Sequence, residues 1–151
     1  MIYQSSSSLR TKTFARDIAR AILKKGRARR ASIVALSGDL GAGKTTFVQG
    51  FARAIGARGR VSSPTFIILR RMKITKGPFK NLFHIDAYRI KNKKEISGLG
   101  ILDIFSHPEN IILIEWPERL GRTLTQQALR ISFRHGRAEH ERIIQTSKKL
   151  T

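Results

Sequence analysis

Gly38-Asp39-Leu40-Gly41-Ala42-Gly43-Lys44-Thr45 matches the phosphate-loop pattern G-x-x-x-x-G-K-[ST] at every fixed position. An apolar run at residues 33–36 precedes it and is typical of a buried strand. Phe47, Phe51 and Ile55 follow at the spacing of one helical face. Glycines let the backbone amides of such a loop point at phosphate oxygens, and the helix N-terminus adds a positive dipole. The stretch therefore predicts a strand–loop–helix unit that binds a phosphorylated ligand.

Two side chains of this loop have predicted roles of their own. Lys44 is expected to contact the β- and γ-phosphates as a catalytic point charge, and the Thr45 hydroxyl is expected to ligate Mg²⁺. The alternative is a glycine-rich turn that binds nothing, which the matching context on both sides disfavours. The predicted nucleotide contacts in and beside the loop are Gly38, Asp39, Leu40, Gly41, Ala42, Gly43, Lys44, Thr45 and Thr46.

The charge of the chain is strongly unbalanced. Thirty Lys and Arg stand against ten Asp and Glu, which gives a formal net charge of +20. Such an excess favours polyanionic partners, RNA first among them, whereas the alternative is a basic bias shared by the host's proteins. No aromatic residues interleave with the basic clusters, so we expect any RNA contact to be made to phosphates and to weaken with salt.

Length and composition predict one folded domain. The 151 residues are enough for a sizeable core, and we expect fraying at residues 1–8 and 148–151. Without cysteine, the chain has no disulfide, Cys-based zinc site or thiol nucleophile. The apolar runs are too short to span a membrane, and residues 1–8 lack the apolar segment of a signal peptide. The expected location is the cytoplasm.

The region around the loop predicts further elements. An amphipathic helix is expected to begin near Thr11 or Thr13, either of which could cap it, and to end at Gly26. Residues 65–69 and 81–85 are expected to form two strands of one hairpin.

The second half of the chain completes the predicted sheet. Short helical pieces are expected within residues 95–105, and residues 111–114 indicate a second buried parallel strand. Residues 129–134 and 142–146 are expected to pair at the end of the chain. The predicted fold is an α/β, P-loop NTPase-like three-layer sandwich, with a mainly parallel central sheet and antiparallel edge strands.

Two acidic residues follow apolar strands. Glu115 comes directly after residues 111–114, where a phosphate-loop protein usually places the carboxylate that completes the Mg²⁺ shell. Asp86 follows residues 82–85 and could orient an attacking water, although an Asp there more often caps a turn. His84 shares the sheet face of Asp86, and the simpler interpretation is a structural histidine.

Four elements occur together in a fixed order. They are the loop extended through Phe47, then Ser63-Pro64-Thr65-Phe66, then His84-Ile85-Asp86-Ala87-Tyr88-Arg89, then Glu115-Trp116-Pro117-Glu118. Over residues 9–147 the chain resembles the TsaE (YjeE) family, small bacterial ATPases of tRNA threonylcarbamoyladenosine synthesis. The loop is shared by many families, whereas the other three elements together are far more specific.

The resemblance implies a set of cofactors and site residues. ATP and Mg²⁺ are the implied cofactors, with Thr45 and Glu115 as metal ligands and Asp86 as an acidic residue needed for ATP hydrolysis. It also implies a switch-like segment, and a loose match places Thr13 near the nucleotide base. The switch-like residues are Ser63, Pro64 and Thr65.

The resemblance also implies partners. Family members act with TsaD and TsaB, and the resemblance implies that the chain drives turnover of that complex by hydrolysing ATP. TsaD transfers the threonylcarbamoyl group to the adenosine 3′ of the anticodon. Two other functions stay open from the residues alone: a small-molecule kinase built on the same loop, and a basic RNA-binding module with a degenerate nucleotide site.

Overall fold

The computed structural model of the chain describes residues 1–59, 69–123 and 127–147. Its helices are α1 (Ser8–Lys25), α2 (Lys44–Ala54), α3 (Lys93–Gly98) and α4 (Ile101–Ser106), with 3₁₀ segments at Ala87–Arg89 and Pro117–Thr123. Its strands are β1 (Ile2–Ser5), β2 (Ser32–Gly38), β3 (Ala57–Arg58), β4 (Leu69–Ile74), β5 (Asn81–Asp86), β6 (Asn110–Glu115), β7 (Leu129–His135) and β8 (Arg142–Thr146).

The described strands form one eight-stranded mixed sheet in the order β1-β8-β7-β2-β6-β5-β4-β3. The four central strands β7, β2, β6 and β5 run parallel, whereas β8 and β1 on one side and β4 and β3 on the other pair antiparallel. The expectation of a mainly parallel sheet is therefore correct for the centre only. The pairs β4–β5 and β7–β8 are hairpins with short connections, whereas β1 pairs with β8 from the other end of the sequence.

Helices cover both faces of this sheet. Val34 and Leu36 of β2 point into a core under α1 and α2, whereas Ile33 and Ala35 point into a second core under α3 and α4. A strand that is buried on both faces has a continuous apolar sequence, and for this reason β2 and β6 could be predicted from the sequence. The two cores make the domain a three-layer α/β arrangement.

The first helix begins earlier than predicted. Ser7 is its N-cap and its hydroxyl accepts a hydrogen bond from the backbone N–H of Arg10 at 3.2 Å. The prediction of a cap at Thr11 or Thr13 is wrong, because both residues lie inside the helix. Thr11 is buried and its hydroxyl is 2.8 Å from that of Ser5. The predicted end at Gly26 is confirmed, with φ of 74° at that glycine.

The N-terminal segment is a strand, so the prediction of fraying at residues 1–8 is wrong. β1 pairs antiparallel with β8, and the backbone N–H of Thr146 donates to the Met1 carbonyl at 2.9 Å. Main-chain pairing stabilises this edge strand. Ile2 and Tyr3 favour a strand, but two such residues are too short a run to mark one in the sequence. The predicted tail at residues 148–151 lies outside the described residues.

The predicted antiparallel pairing of two strands before the second half of the chain is confirmed. β4 pairs with β5 through residues 69–73, whereas the first predicted strand is residues 65–69. Residues 65–68 lie outside the described part of the chain. β4 has Met72 buried between exposed Arg71 and Lys73, so it lacks the apolar run that a buried strand shows.

The other predicted elements of the second half are confirmed. Two short helices, α3 and α4, occupy the region of residues 95–105, and Gly100 separates them with φ of 63°. β7 and β8 pair antiparallel as predicted. Across the described ranges, no helix is long and apolar enough to cross a bilayer.

Candidate nucleotide and metal site

The glycine-rich loop connects β2 to α2 at the carboxyl edge of the parallel strands. Gly38 approaches the neighbouring strand so closely that a Cβ would lie 2.2 Å from the Phe133 carbonyl oxygen. Gly43 caps α2 in the left-handed region, at φ of 102°, and no side chain caps the helix there. The amides of the first helical turn lack intrahelical partners. The loop therefore presents N–H groups and a positive helix end to an anion.

Lys44 is held inside this loop. Lys44 is 4% exposed, and its Nζ donates to the carbonyl oxygens of Gly38 at 2.5 Å and Asp39 at 2.7 Å. Nζ also lies 4.3 Å from the centre of the Trp116 ring. Burial lowers the pKa of Lys44, while Glu115 is the foremost of the carboxylates that act in the opposite direction. The ammonium is positioned to meet a phosphate that enters the loop.

Thr45 and Glu115 meet across the loop as the sequence predicts. Thr45 Oγ1 lies 3.2 Å and 3.3 Å from the two carboxylate oxygens of Glu115. Mg²⁺ prefers oxygen ligands and is usually held by one or two protein groups together with phosphates and waters. A hydroxyl beside a carboxylate fits that ion. Among the described residues, no group of three or more His, Cys, Asp or Glu could hold a metal by itself.

His84 contacts the same carboxylate, a contact that the sequence does not predict. Its Nε2 donates to Glu115 Oε1 at 2.9 Å, and the two side chains are 1% and 4% exposed. β5 and β6 are adjacent and parallel, with Asp86 opposite Glu115, so His84 and Glu115 are diagonal neighbours. His84 therefore contacts the carboxylate from β5, whereas Thr45 contacts it from the first turn of α2.

Asp86 lies at the end of β5 beside Glu115. Its Oδ1 accepts a hydrogen bond from the backbone N–H of Tyr88 at 3.1 Å, so the carboxylate does cap the 3₁₀ segment. Burial raises its pKa, and the charge of Glu115 acts in the same direction. The second carboxylate oxygen is not used by this cap. Asp86 therefore combines a structural contact with a place at the edge of the cleft.

A cleft of about 310 Å³ joins these side chains. It brings together Lys44, Thr45, Asp86 and Glu115, as the sequence predicts. Its lining residues are Leu40, Gly41, Gly43, Lys44, Thr45, Thr46, Asp86, Tyr88, Arg89, Glu115 and Trp116. Of the other loop residues, Asp39 is exposed and Ala42 is fully buried under α2.

A second pocket, of about 390 Å³, adjoins the loop on its other side. Its lining residues are Ser6, Ser7, Ser8, Thr11, Gly41, Gly43, Thr46, His140 and Arg142. Arg142 reaches the loop itself, since Nη2 donates to the Gly41 carbonyl at 3.3 Å. His140 and Arg142 belong to the β7–β8 region and carry no motif, so no sequence signal marks them.

Thr13 is the one predicted site residue within the described ranges that the fold places away from the loop. Thr13 lines a separate groove between α1 and α2, and the threonine of α1 that lines the pocket is Thr11. The switch-like residues Ser63, Pro64 and Thr65 lie outside the described residues.

The fold and the site define a class of protein. A phosphate-loop sequence between a central parallel strand and a helix, with a carboxylate at the end of the adjacent strand, is the arrangement of phosphate-loop α/β proteins. The profile of the family described as "Threonylcarbamoyl adenosine biosynthesis protein TsaE" matches residues 5–144. The chain belongs to the TsaE family and so to the proteins of tRNA threonylcarbamoyladenosine biosynthesis.

Individual relatives agree with the family match. The TsaE proteins of Bacillus subtilis (strain 168) and Rickettsia typhi (strain Wilmington) are each 36% identical to this chain, over 115 and 130 residues. These matches cover 76% of this chain and 69% of the Bacillus protein, and 85% of this chain and 83% of the Rickettsia protein. The crystal structure of Bacillus YdiB superposes with a TM-score of 0.71 at 28% identity, over 97% of this chain and 83% of that one.

Proposed function

We propose that this chain is a Mg²⁺-dependent ATPase that supports tRNA threonylcarbamoyladenosine modification by driving turnover of a TsaD–TsaB complex. The observation that carries the proposal is the meeting of Thr45 and Glu115 at 3.2 Å beside the buried Lys44. Family membership supports the role in tRNA modification. It also implies that the chain binds a nucleotide, which supports ATP as the ligand. Because tRNA is the final substrate of the pathway, the proposed place of action is the cytoplasm.

In this proposal the loop binds the triphosphate chain. Backbone amides of the loop and of the first turn of α2 would donate to phosphate oxygens, and Lys44 would turn from its carbonyl partners toward the β- and γ-phosphates. Thr45 and Glu115 would hold Mg²⁺, which would neutralise phosphate charge. His84 keeps the Glu115 carboxylate oriented through its 2.9 Å contact.

The remaining residues position the water and the nucleoside. Asp86 has one carboxylate oxygen held by Tyr88 and offers the other to a water in the cleft. The pocket beside the loop has room for the nucleoside, with Thr11 from α1 and Arg142 from β8 on its walls. In this proposal Thr11 replaces Thr13 as the threonine nearest the base.

The isolated chain is expected to hydrolyse ATP slowly. Arg89 lines the cleft, and we assign no arginine of the described residues to the γ-phosphate. A correctly placed arginine accelerates such reactions by about 10³–10⁵-fold. A partner that supplies or orders this charge would therefore raise the rate.

A phosphate-release assay with and without purified TsaD and TsaB tests the proposal. We expect slow release by the chain alone, faster release with both partners, and none with Lys44→Ala under either condition. An unchanged rate with the partners would reject the coupling. A phosphorylated metabolite in place of free phosphate would identify a kinase instead.

A further inference from the structure

A basic groove of about 530 Å³ lies between α1 and α2, apart from the nucleotide cleft. It shares no lining residue with the cleft or with the pocket beside the loop. Five exposed cations line it, and they come from α1, from α2 and from the connection after β4. These cations are Lys12, Arg16, Arg20, Arg53 and Lys76.

The close approach of the two helices forms the floor of this groove. A Cβ on Gly50 would lie 2.7 Å from the Cα of Lys12 and 2.9 Å from its carbonyl oxygen, so only glycine permits this contact. Lys12, Arg16 and Arg20 are spaced by four residues along α1, which advances the row by about 6 Å at each step. Arg53 of α2 lines the same groove. The result is a row of positive charge along a concave channel.

Little negative charge offsets these cations. In the described part of the chain, the one ion pair that involves them joins Arg16 Nε to Asp17 Oδ1 at 3.8 Å. Both side chains of that pair are about half exposed, at 48% and 54%, so water screens it. Five cations against one acidic residue leave the groove strongly positive. With a net charge of +20 on the whole chain, this surface attracts polyanions over a distance.

We propose that the α1–α2 groove binds the sugar–phosphate backbone of RNA. The row of cations at about 6 Å steps along α1 suits a chain of regularly spaced negative charges. Three of the five cations are arginines, whose planar guanidinium donates two parallel hydrogen bonds to a phosphate. No aromatic side chain lines the groove, so it positions RNA without reading its bases.

A membrane surface fits the groove less well. Leu9, at 72% exposure, is the one large apolar side chain at its rim, whereas an interfacial helix needs a broad apolar face. The choice of RNA rather than another polyanion rests on the proposed role in tRNA modification. The groove itself needs no ATP for binding, so the two proposals are tested separately.

Binding of an unmodified tRNA transcript to the full chain tests the inference. The test variant is Arg16→Gln with Arg20→Gln and Arg53→Gln. The control variant, Lys73→Gln with Lys94→Gln and Arg130→Gln, removes the same charge from the opposite face of the sheet, where all three side chains are exposed. Thermal melting and basal ATP hydrolysis without RNA are measured for both variants, because neither triple touches the nucleotide cleft.

We expect the groove variant to bind tRNA at least tenfold more weakly than the control variant at about 0.1 M salt. Loss of three phosphate contacts is also expected to lower the slope of log Kd against log salt by about 2–3, because each contact contributes about 0.7–0.9. Equal losses in the two variants, or no tRNA binding by the unaltered chain, would overturn the proposal.

Two competitors test the other polyanions. Displacement of tRNA by polyglutamate at equal charge concentration would overturn the proposal in favour of an acidic protein partner. Displacement by phosphatidylserine vesicles would overturn it in favour of a membrane. Lys44→Ala is expected to bind tRNA normally while it fails to hydrolyse ATP. This combination separates a failure of the groove from a failure of the ATPase proposal.

Discussion

The nucleotide cleft and the α1–α2 groove both concentrate charged side chains, but they hold them in opposite ways. In the cleft, Lys44 is 4% exposed and bound by two carbonyl oxygens, and Glu115 is buried between Thr45 and His84. In the groove, the cations are exposed and one acidic residue pairs with them. A buried charge acts through the position of individual atoms, whereas exposed charges act through their number. Single substitutions should therefore have large effects in the cleft and small effects in the groove.

Lys44→Ala is expected to have the largest effect. It removes the one buried cation of the loop, so both Mg²⁺·ATP binding and hydrolysis should fall to background while the fold survives. ATP binding by fluorescence and a melting curve check the two halves of this prediction. Lys73→Ala, which removes an exposed cation of β4, is the matched control and should change neither.

Asp86→Asn should come next. The amide can still accept the backbone hydrogen bond of Tyr88, so the 3₁₀ segment stays capped. Loss of the carboxylate that orients water should lower turnover by about 10²–10⁴-fold with ATP affinity retained. Single-turnover hydrolysis measures the rate, with the exposed Asp103→Asn as the control. Equal turnover by Asp86→Asn and the unaltered chain would remove this residue from catalysis.

Glu115→Gln should shift the Mg²⁺ requirement. The amide keeps nearly the same shape but loses the charge that attracts the cation. Mutation of a residue that only hydrogen-bonds to a metal ligand already lowers metal affinity by about 10–100-fold, so loss of the ligand's own charge should cost at least as much. We expect an increase of about 100-fold in the Mg²⁺ concentration for half-maximal activity. Glu109→Gln changes a carboxylate directly before the start of β6, far from the loop, and should leave that concentration unaltered.

His84→Ala should act on the same readout with a smaller effect. It deletes the 2.9 Å contact that orients Glu115 but leaves the carboxylate in place. An increase of about tenfold in the Mg²⁺ requirement is expected, with little change in the maximal rate. His107→Ala, at an exposed histidine near Asp103, controls for loss of an imidazole. A drop in stability with an unchanged Mg²⁺ response would assign His84 a structural role alone.

A single change in the groove should have the smallest effect. Arg20→Gln removes one of five exposed cations, so tRNA binding should weaken by about twofold to fivefold and the salt slope should fall by about 1. A filter-binding titration at several salt concentrations measures both. A loss as large as that of the triple variant would show that one arginine dominates, which contradicts binding by charge number.

The sequence predicted the parts of the fold that are buried on both sides. β2 and β6 are recognisable in the sequence as continuous apolar runs, and the loop is recognisable by the spacing of its glycines. These elements place Lys44, Thr45 and Glu115 at one edge of the sheet. β1 was missed because only Ile2 and Tyr3 of its four residues favour a strand, and its pairing with β8 joins distant parts of the sequence. β4 has no apolar run, since Met72 is buried between exposed Arg71 and Lys73.

Two features of the site depend on register, which no motif reveals. Thr11 and Thr13 are two residues apart on α1, a rotation of about 200°, so an error of two positions moves a side chain to another face of the helix. The contact of His84 with Glu115 needs the diagonal alignment of β5 with β6. Only the assembled sheet shows it.

The heat of ATP binding, titrated with and without Mg²⁺ into the unaltered chain and into Lys44→Ala, tests the central claim most directly. The loop between β2 and α2 and the carboxylate of Glu115 should give saturable, Mg²⁺-strengthened binding to the unaltered chain and no measurable heat with Lys44→Ala. The same isotherm for both proteins, or no heat for either, would contradict a nucleotide site at this loop.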